Sequence, residues 1–187
     1  MREGFKNVPT ATIDGGCMDN EYLDIVTEEN VILRRALRSE CHGNPGLIHR
    51  AAHILVFNSR GQLLLQKRSM NKDIQPGKWD TSVGGHVASG ESYEEAALRE
   101  LEEELGIKGI SLDYLYDYKM RNEVESENIR SYQCTFDGAI EFNREEIEAV
   151  RFWDREEIAA AMGTGVFTPN FEQEIGLYGR LSPCPRR

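Results

Sequence analysis

The sequence predicts an α/β protein in which helices cover both faces of a mixed β-sheet. Short apolar runs that read as strands stand before and after one long helix at residues 92–106. That helix is amphipathic and carries a glutamate-rich side next to its apolar stripe. Strand-like runs around a helix, followed by two further helices, are typical of a layered sheet-and-helix domain.

The N-terminal part is predicted to contain a tail and a small hairpin. Residues 1–20 lack hydrophobic periodicity and are rich in Gly, Asn and Thr, which indicates a poorly ordered tail. Strand-like runs at 22–26 and 31–36 flank a turn, so residues 21–46 are interpreted as an N-terminal hairpin extension. A helical turn and a loop complete this extension before residue 47.

The main domain is predicted at residues 47–180, with a C-terminal tail at 181–187. Its first two strands are joined by a short turn at 59–61 and are expected to pair as a hairpin. Asp154 and Thr168 are the predicted N-caps of the two C-terminal helices. The predicted strands cover residues 50–58, 63–68, 79–83, 110–118, 129–136 and 147–153.

The central helix has start and stop signals in the sequence. Ser92 followed three residues later by Glu95 forms a capping-box pattern, and Gly106 suits a left-handed C-terminal stop. Between them nearly every residue favours a helix. The apolar stripe of this helix is predicted to consist of Ala97, Leu98, Leu101 and Leu105.

Three glutamates of this helix, Glu100, Glu103 and Glu104, stand three and four residues apart and share one side of it. Like charges at this spacing repel each other by roughly 0.2–0.5 kcal/mol per pair, and Arg99 is the only cation in the helix. A carboxylate cluster of this kind suits Mg²⁺, which prefers oxygen ligands and substrate phosphates. On spacing alone, a solvated acidic face remains the alternative.

A longer pattern surrounds these glutamates: Gly, five residues, Glu, seven residues, then Arg-Glu-aliphatic-x-Glu-Glu-x-Gly-aliphatic. Its fixed positions are Gly85, Glu91, Arg99, Glu100, Leu101, Glu103, Glu104, Gly106 and Ile107. This is the Nudix box, so the chain resembles the Nudix hydrolase family. The resemblance implies an α/β/α sandwich whose loop–helix–loop binds Mg²⁺ or Mn²⁺. It also implies hydrolysis of a diphosphate linkage in a nucleotide-type or other organic diphosphate.

The resemblance implies roles for individual residues. The three helix glutamates would hold the metal, Gly85 and Glu91 would belong to the metal loop, and Arg99 would orient the carboxylates. Metal ions neutralise charge on phosphorus and acidify a bound water, which then needs a general base. The base candidates are Glu103, Glu104, Glu125, Glu127 and Glu148.

One branch of the family is similar to this chain over residues 42–91. His42, His49 and His86 match, in spacing, three metal-binding histidines of isopentenyl-diphosphate isomerase and its hydrolase-like relatives. Glu125 and Glu127 match a pair of acidic ligands. The resemblance therefore implies a second metal site, and imidazole ligands favour Zn²⁺ or Mn²⁺ over Mg²⁺.

Other residues of this segment set the limit of that resemblance. Arg68 and Lys72 match basic residues that bind the diphosphate, although a solvated basic patch is the alternative. The isomerase has a catalytic Cys where this chain has Gly84, and moving protons on a carbon skeleton needs both an acid and a base. His53 lies in an apolar run and is interpreted as structural. Hydrolysis is therefore the predicted chemistry, while an isomerase-like enzyme and a non-catalytic nucleotide sensor stay as alternatives.

Composition limits the setting and the partners. The chain has 187 residues and a formal net charge of −10, which argues against nucleic acid as a partner and leaves a small-molecule diphosphate. Its four cysteines form no C-x-x-C pair, so a reducing cytoplasm is the simplest setting. No segment has the length and apolarity of a membrane span or a signal peptide. A homodimer is compatible with the sequence.

Overall fold

The computed structural model describes residues 21–72 and 74–181. The predicted tail at 1–20 lies outside the described residues, as does the tail predicted at 181–187 except for Leu181, which ends the last helix. In chain order the elements are β1 (Tyr22–Val26), β2 (Ile32–Leu37), α1 (Arg38–Cys41), β3 (Ile48–Phe57), β4 (Leu63–Arg68), β5 (Trp79–Asp80), β6 (Val83–His86), α2 (Tyr93–Leu105), β7 (Asp113–Arg121), β8 (Ser126–Thr135), β9 (Ile147–Trp153), α3 (Arg155–Ala161) and α4 (Pro169–Leu181).

A mixed sheet of seven strands forms the centre of the fold, and β1 and β2 make a separate antiparallel pair. The large sheet has the strand order β5-β4-β3-β8-β7, with β6 also beside β3 and β9 also beside β4. Strand β3 runs parallel to β8, and the other pairings are antiparallel. The predicted α/β class with a mixed sheet is confirmed.

The predicted hairpin between β3 and β4 is largely wrong. The two strands pair only at Phe57 and Leu63, next to the turn. Beyond that point β4 pairs with β9, while β3 pairs with β8 over its whole length and with β6 over four residues. The strands diverge because each finds its partner far away in sequence, and this divergence leaves room for a cavity between them.

Several predicted strand boundaries also shift. The predicted strand at 79–83 is two strands, β5 and β6, and the second continues to His86. The predicted strand at 129–136 begins earlier, at Ser126, and its antiparallel partner β7 extends to Arg121. As a result Glu127 lies inside β8, and Glu125 lies in the short turn before it.

Helix α2 follows the predicted start and stop. The Ser92 side chain accepts from the Glu95 backbone N–H, the Glu95 carboxylate accepts from the Ser92 N–H, and Gly106 adopts a φ of 68°. The predicted stripe is wrong at Leu98, which is exposed at the edge of the buried face. Instead, Glu104 lies within the buried face of the helix and is only 8% exposed.

The core has a layer on each side of the sheet. Along β3, Ile54 packs into the cluster under α2, whereas Leu55 packs with Phe167 and Phe171 under α3 and α4. This alternation places His53 on the α4 side, on the same face as Leu55. Within the described ranges, no helix has the length and apolarity needed to cross a membrane.

Candidate active site

A cavity of about 940 Å³ opens where β3 and β4 diverge. Its walls come from β3, β4, β6, α2, the start of β8 and the N-terminal end of α4. Among the described residues, ten carboxylate side chains line it, against four side chains of Lys or Arg, so its electrostatic character is strongly acidic. All predicted site residues except His49, Glu91 and Glu148 line this cavity.

Arg99 connects the loop before α2 to two carboxylates of the helix. Its guanidinium donates to both Glu91 oxygens at 3.0 Å, to Glu100 at 2.8 Å and to Glu103 at 3.2 Å. It also donates to the His86 carbonyl oxygen at 3.1 Å. Arg99 therefore fixes the position of both the loop and the helix carboxylates, as a partner of several acidic groups can.

Glu104 is the most deeply placed carboxylate of the helix. Its only described hydrogen-bond partner is the Gln66 side-chain amide, which donates to it at 3.0 Å. Burial, followed by the negative charges of Glu100 and Glu146, raises the pKa of Glu104 to about 8. A buried carboxylate with no hydrogen-bonded cation is the kind of group that a metal ion would stabilise.

Gly85 makes room for the neighbouring carboxylate. A Cβ on Gly85 would overlap the Glu100 carboxyl group, so a side chain at this position would push Glu100 away. Burial is the main cause that raises the pKa of Glu100, against the lowering effect of Arg99. The close approach of β6 to α2 thus depends on a residue without a side chain.

The helix glutamates are not a compact ligand set as they stand, because Arg99 lies between Glu100 and Glu103. A second group is compact. The ligand atoms of His42, His49, His86 and Glu125 all lie within 4.8 Å of one another, the only such group of His, Cys, Asp or Glu in the described part of the chain.

Within this group the Nε2 atoms of His42 and His86 are 3.5 Å apart. The Glu127 Oε1 atom lies 3.4 Å from the Nε2 atom of His49 and 3.3 Å from that of His86. The structure thus brings together all five residues that were predicted for a second metal site. The separations are close to those required of ligands that share one ion at roughly 2.1 Å.

The imidazole of His49 directs its Nε2 atom into this group. Its Nδ1 atom lies 3.2 Å from the Leu47 carbonyl oxygen, which can only accept, so Nδ1 carries the proton. Burial lowers the pKa of this ring, but the Glu127 carboxylate, 3.4 Å from the Nε2 atom, outweighs burial and the pKa is raised. That atom is fully buried and has no hydrogen-bond partner. For His42, burial and then the charge of His86 lower the pKa to about 4, so this ring is neutral at pH 7.

The two basic residues predicted to bind phosphate line the cavity but are already paired. Arg68 lies 3.1 Å from Asp80, and Lys72 lies 2.6 Å from Glu146. The other basic residues of the cavity are Arg38 and Arg99, and both also contact carboxylates. Each positive charge of the cavity is therefore matched by at least one carboxylate.

The structure also places two other residues that the sequence singled out. Glu148, a candidate base, lies in β9, pairs with Lys67 at 2.7 Å and does not line the cavity. His53, interpreted as structural, does line the cavity and binds Glu174 of α4 at 3.0 Å. Neither described cysteine, Cys41 or Cys134, lines the cavity.

No pattern in the sequence pointed to Gln66, Glu146 or Glu174. Gln66 and Glu146 reach the site through the pairing of β4 with β9, which no short motif reports. His53 was within reach of the sequence, because residues 49, 51 and 53 of one strand must share a face.

Comparison with known proteins gives consistent matches. The family model described as NUDIX domain matches residues 47–171. An uncharacterised Nudix hydrolase of Yersinia pestis is 34% identical over 172 residues, which cover 87% of this chain and 93% of that protein. A crystal structure from Deinococcus radiodurans has a TM-score of 0.75 at 27% identity, and the match covers 87% of this chain and 99% of that one.

A further solved structure is similar in fold. The NUDIX domain of Shewanella oneidensis NrtR, crystallised with ADP ribose, has a TM-score of 0.57 at 20% identity. This match covers 73% of the present chain and 88% of the NrtR domain.

Proposed function

The chain belongs to the Nudix family, and on that premise we propose that it is a hydrolase of a nucleotide-type or other organic diphosphate that depends on Mg²⁺ or Mn²⁺. Water would attack phosphorus and cleave the diphosphate linkage. The substrate would be a small molecule, because the net charge of −10 disfavours binding to a nucleic-acid backbone.

The charge of the cavity carries this proposal. In the described part of the cavity wall, carboxylates outnumber Lys and Arg side chains by ten to four, and all four of these basic side chains are paired. An anionic diphosphate would be repelled from such a cavity unless further positive charge entered with it. Divalent cations supply that charge and reverse the local electrostatic potential.

The residues of α2 fit such a cation. Glu100, Glu103 and Glu104 offer hard oxygen ligands, and Glu104 lacks a hydrogen-bonded cation of its own. When bound, a divalent cation neutralises charge on the phosphoryl group and lowers the pKa of a coordinated water. Arg99 keeps Glu100, Glu103 and the loop residue Glu91 in position.

The general base is proposed among carboxylates that reach the cavity. Glu103, Glu104, Glu125 and Glu127 meet this condition, whereas the Lys67 partner Glu148 does not. Arg68 and Lys72 would bind phosphate by exchanging their present carboxylate partners for phosphoryl oxygens.

We also propose a second metal site at His42, His49, His86, Glu125 and Glu127, based on the proximity of their ligand atoms and the unpaired Nε2 of His49. Elemental analysis after incubation with Mn²⁺ or Zn²⁺ tests it. Wild type should retain one more ion per chain than His49→Gln. Equal metal content in the two proteins would exclude the histidine site and leave the α2 site unaffected.

The hydrolase proposal is tested by a substrate panel. It would contain nucleoside triphosphates, dinucleoside and sugar-nucleotide diphosphates including ADP-ribose, coenzyme A and isoprenoid diphosphates. Phosphate or nucleotide release is measured with Mg²⁺, with Mn²⁺ and with a chelator. Turnover of at least one compound that stops with the chelator is expected. Absence of hydrolysis across the panel, or hydrolysis insensitive to the chelator, contradicts the proposal.

The cysteines bear on the cellular setting. Cys41 and Cys134 are buried free thiols, which supports a reducing compartment such as the cytoplasm. A homodimer remains compatible with this function.

A further inference from the structure

The cavity floor on the α4 side of the sheet has small residues between the histidine group (His42, His49 and His86) and His53. His49, Ala51 and His53 alternate along β3 and point to this face. Ala51 pairs with His86 and His53 pairs with Gly84, so these residues of β6 lie on the same face. Between the histidine group and His53, the floor is therefore built from Ala51 and Gly84.

His53 is held from below by a buried carboxylate. Its Nδ1 atom lies 3.0 Å from Glu174, which is fully buried in α4. The other oxygen of Glu174 accepts a hydrogen bond from the Ser131 hydroxyl at 2.6 Å. An ionised carboxylate can only accept, so the Nδ1 proton of His53 is directed at Glu174. This contact fixes the plane and orientation of the imidazole.

Both partners favour the ion pair. Burial disfavours the charged imidazole, but the charge and hydrogen bond of Glu174 outweigh it and raise the pKa of His53 to about 9. Burial likewise opposes ionisation of Glu174, and the charge and hydrogen bond of His53 overcome it, so the pKa of Glu174 is lowered. With Nδ1 occupied by Glu174, Nε2 is the second donor of the ring.

The Nε2 edge of His53 faces the cavity across Gly84. A Cβ on Gly84 would lie 3.2 Å from both Nε2 and Cδ2 of His53, so any larger residue would crowd this edge. No described residue in 21–72 or 74–181 forms a hydrogen bond with Nε2, and His53 and Gly84 both line the cavity. The ring thus presents an unpaired donor to the space above the floor.

We propose that His53 is a substrate-binding residue, which donates from Nε2 to an oxygen of a diphosphate compound lying across Ala51 and Gly84. Glu174 and Ser131 are positioning residues that hold the donor. Two residues of strand span about 7 Å, so a compound with its phosphates near His86 can reach His53. This inference rests on the proposed function. The acceptor is a phosphoryl oxygen or an oxygen of the organic group.

Binding of two non-hydrolysable probes in the presence of Mg²⁺ tests the proposal and separates the two acceptors. Methylenediphosphonate carries phosphoryl oxygens only, and α,β-methylene adenosine diphosphate adds a nucleoside. Loss of a charged hydrogen bond costs about 1.5–3 kcal/mol, or roughly ten- to a hundredfold in affinity. If His53→Gln weakens both probes by this factor, the acceptor is a phosphoryl oxygen. If it weakens the nucleotide probe alone, the acceptor lies on the organic group.

Two variants with an added methyl group guard against misfolding as the explanation. Gly84→Ala keeps the His53–Glu174 pair but crowds Nε2, so it should weaken the same probes as His53→Gln. Gly176→Ala, in α4, is the matched control, because its Cβ meets no atom within 4 Å. The control should bind both probes within about twofold of wild type, a difference well below one hydrogen bond.

Nitrogen-15 NMR of the histidine side chains adds a direct readout in wild type. The signal of Nε2 that disappears in His53→Gln should shift when a probe is added. Wild-type affinity in both His53→Gln and Gly84→Ala, or an unmoved Nε2 signal, overturns the proposal, as does a wild type that binds neither probe. Because these measurements use binding, they are separate from hydrolysis. A protein that hydrolyses the panel but shows no His53 effect keeps its function and loses this site.

Discussion

Replacing Glu104 by Gln should stabilise the metal-free protein while removing its activity. Glu104 is 8% exposed and only the Gln66 amide is hydrogen-bonded to it. A glutamine has the same shape and its amide oxygen can still accept from Gln66. The substitution therefore removes a buried charge and little packing.

The sign and size of this change in stability follow from the pKa of Glu104, which is raised from 4.5 to about 8 in the folded state. Between these pH values the folded protein binds more protons than the unfolded chain, so stability falls as pH rises. One pKa unit corresponds to about 1.4 kcal/mol, which gives a penalty on the order of 4 kcal/mol at pH 8. Below about pH 4.5 Glu104 is protonated in both states and the penalty vanishes.

Urea unfolding at pH 5, 6, 7 and 8, in a chelator and then in MgCl₂, measures this effect. With the chelator, the free energy of unfolding of Glu104→Gln should exceed that of wild type by an amount that grows by about 1 kcal/mol per pH unit. With MgCl₂, this difference in the free energy of unfolding should shrink or reverse. Mg²⁺ that binds the folded state stabilises it, and wild type, which keeps the Glu104 carboxylate, should bind Mg²⁺ more tightly than the variant. Parallel pH curves for the two proteins in the chelator would refute the reasoning.

Three further predictions address the same site. Gly85→Ala should displace the Glu100 carboxylate by about 1 Å and reduce kcat/KM on the order of a hundredfold. The control Gly176→Ala should leave kcat/KM unchanged. Equal kcat/KM of the two variants would contradict this prediction. Glu103→Gln should keep the fold, because Glu103 is exposed, and reduce turnover by a factor of about a hundred; near-wild-type turnover would exclude a role in metal binding or proton transfer. Wild type should incorporate no deuterium into isopentenyl diphosphate in heavy water, as followed by NMR, and incorporation would overturn the hydrolase assignment.

Local patterns predicted the elements of this fold well. The capping box at Ser92, the stop at Gly106 and the strand at Ile147–Trp153 need only short-range information. The position of Glu104 was also within reach, because it stands seven residues after Ala97 and three after Leu101. That spacing places it in the apolar stripe, so its burial could have been predicted from helical periodicity.

Strand partners could not be predicted in the same way. The expected hairpin rests on a turn between two adjacent strands, and that turn is present, since Asn58 and Gln62 close it with backbone and side-chain hydrogen bonds. Yet a turn fixes pairing only beside itself. Further along, β4 gains a longer partner in β9, and β3 gains one in β8. These pairings bring Glu127 opposite His49 and make the histidine group compact.

His49 and His53 have different surroundings, and the sequence alone could not predict this difference. Both lie on one strand face, and the register with β8 places Glu127 opposite His49 and Ser131 opposite His53. They differ in what packs over this face. Helix α4 packs over His53, and its Glu174, 121 residues further along the chain, contacts Nδ1. The Nε2 atom of His53 then faces the cavity. At His49 the Leu47 carbonyl occupies Nδ1, and Nε2 points into the histidine group, 3.4 Å from Glu127. Burial lowers the pKa of both rings, but a carboxylate outweighs burial at each position, Glu174 at His53 and Glu127 at His49, so both pKa values are raised. The two roles proposed for these histidines, a hydrogen bond to a substrate oxygen at His53 and a metal ion at His49, thus depend on partners that the strand pattern alone does not reveal.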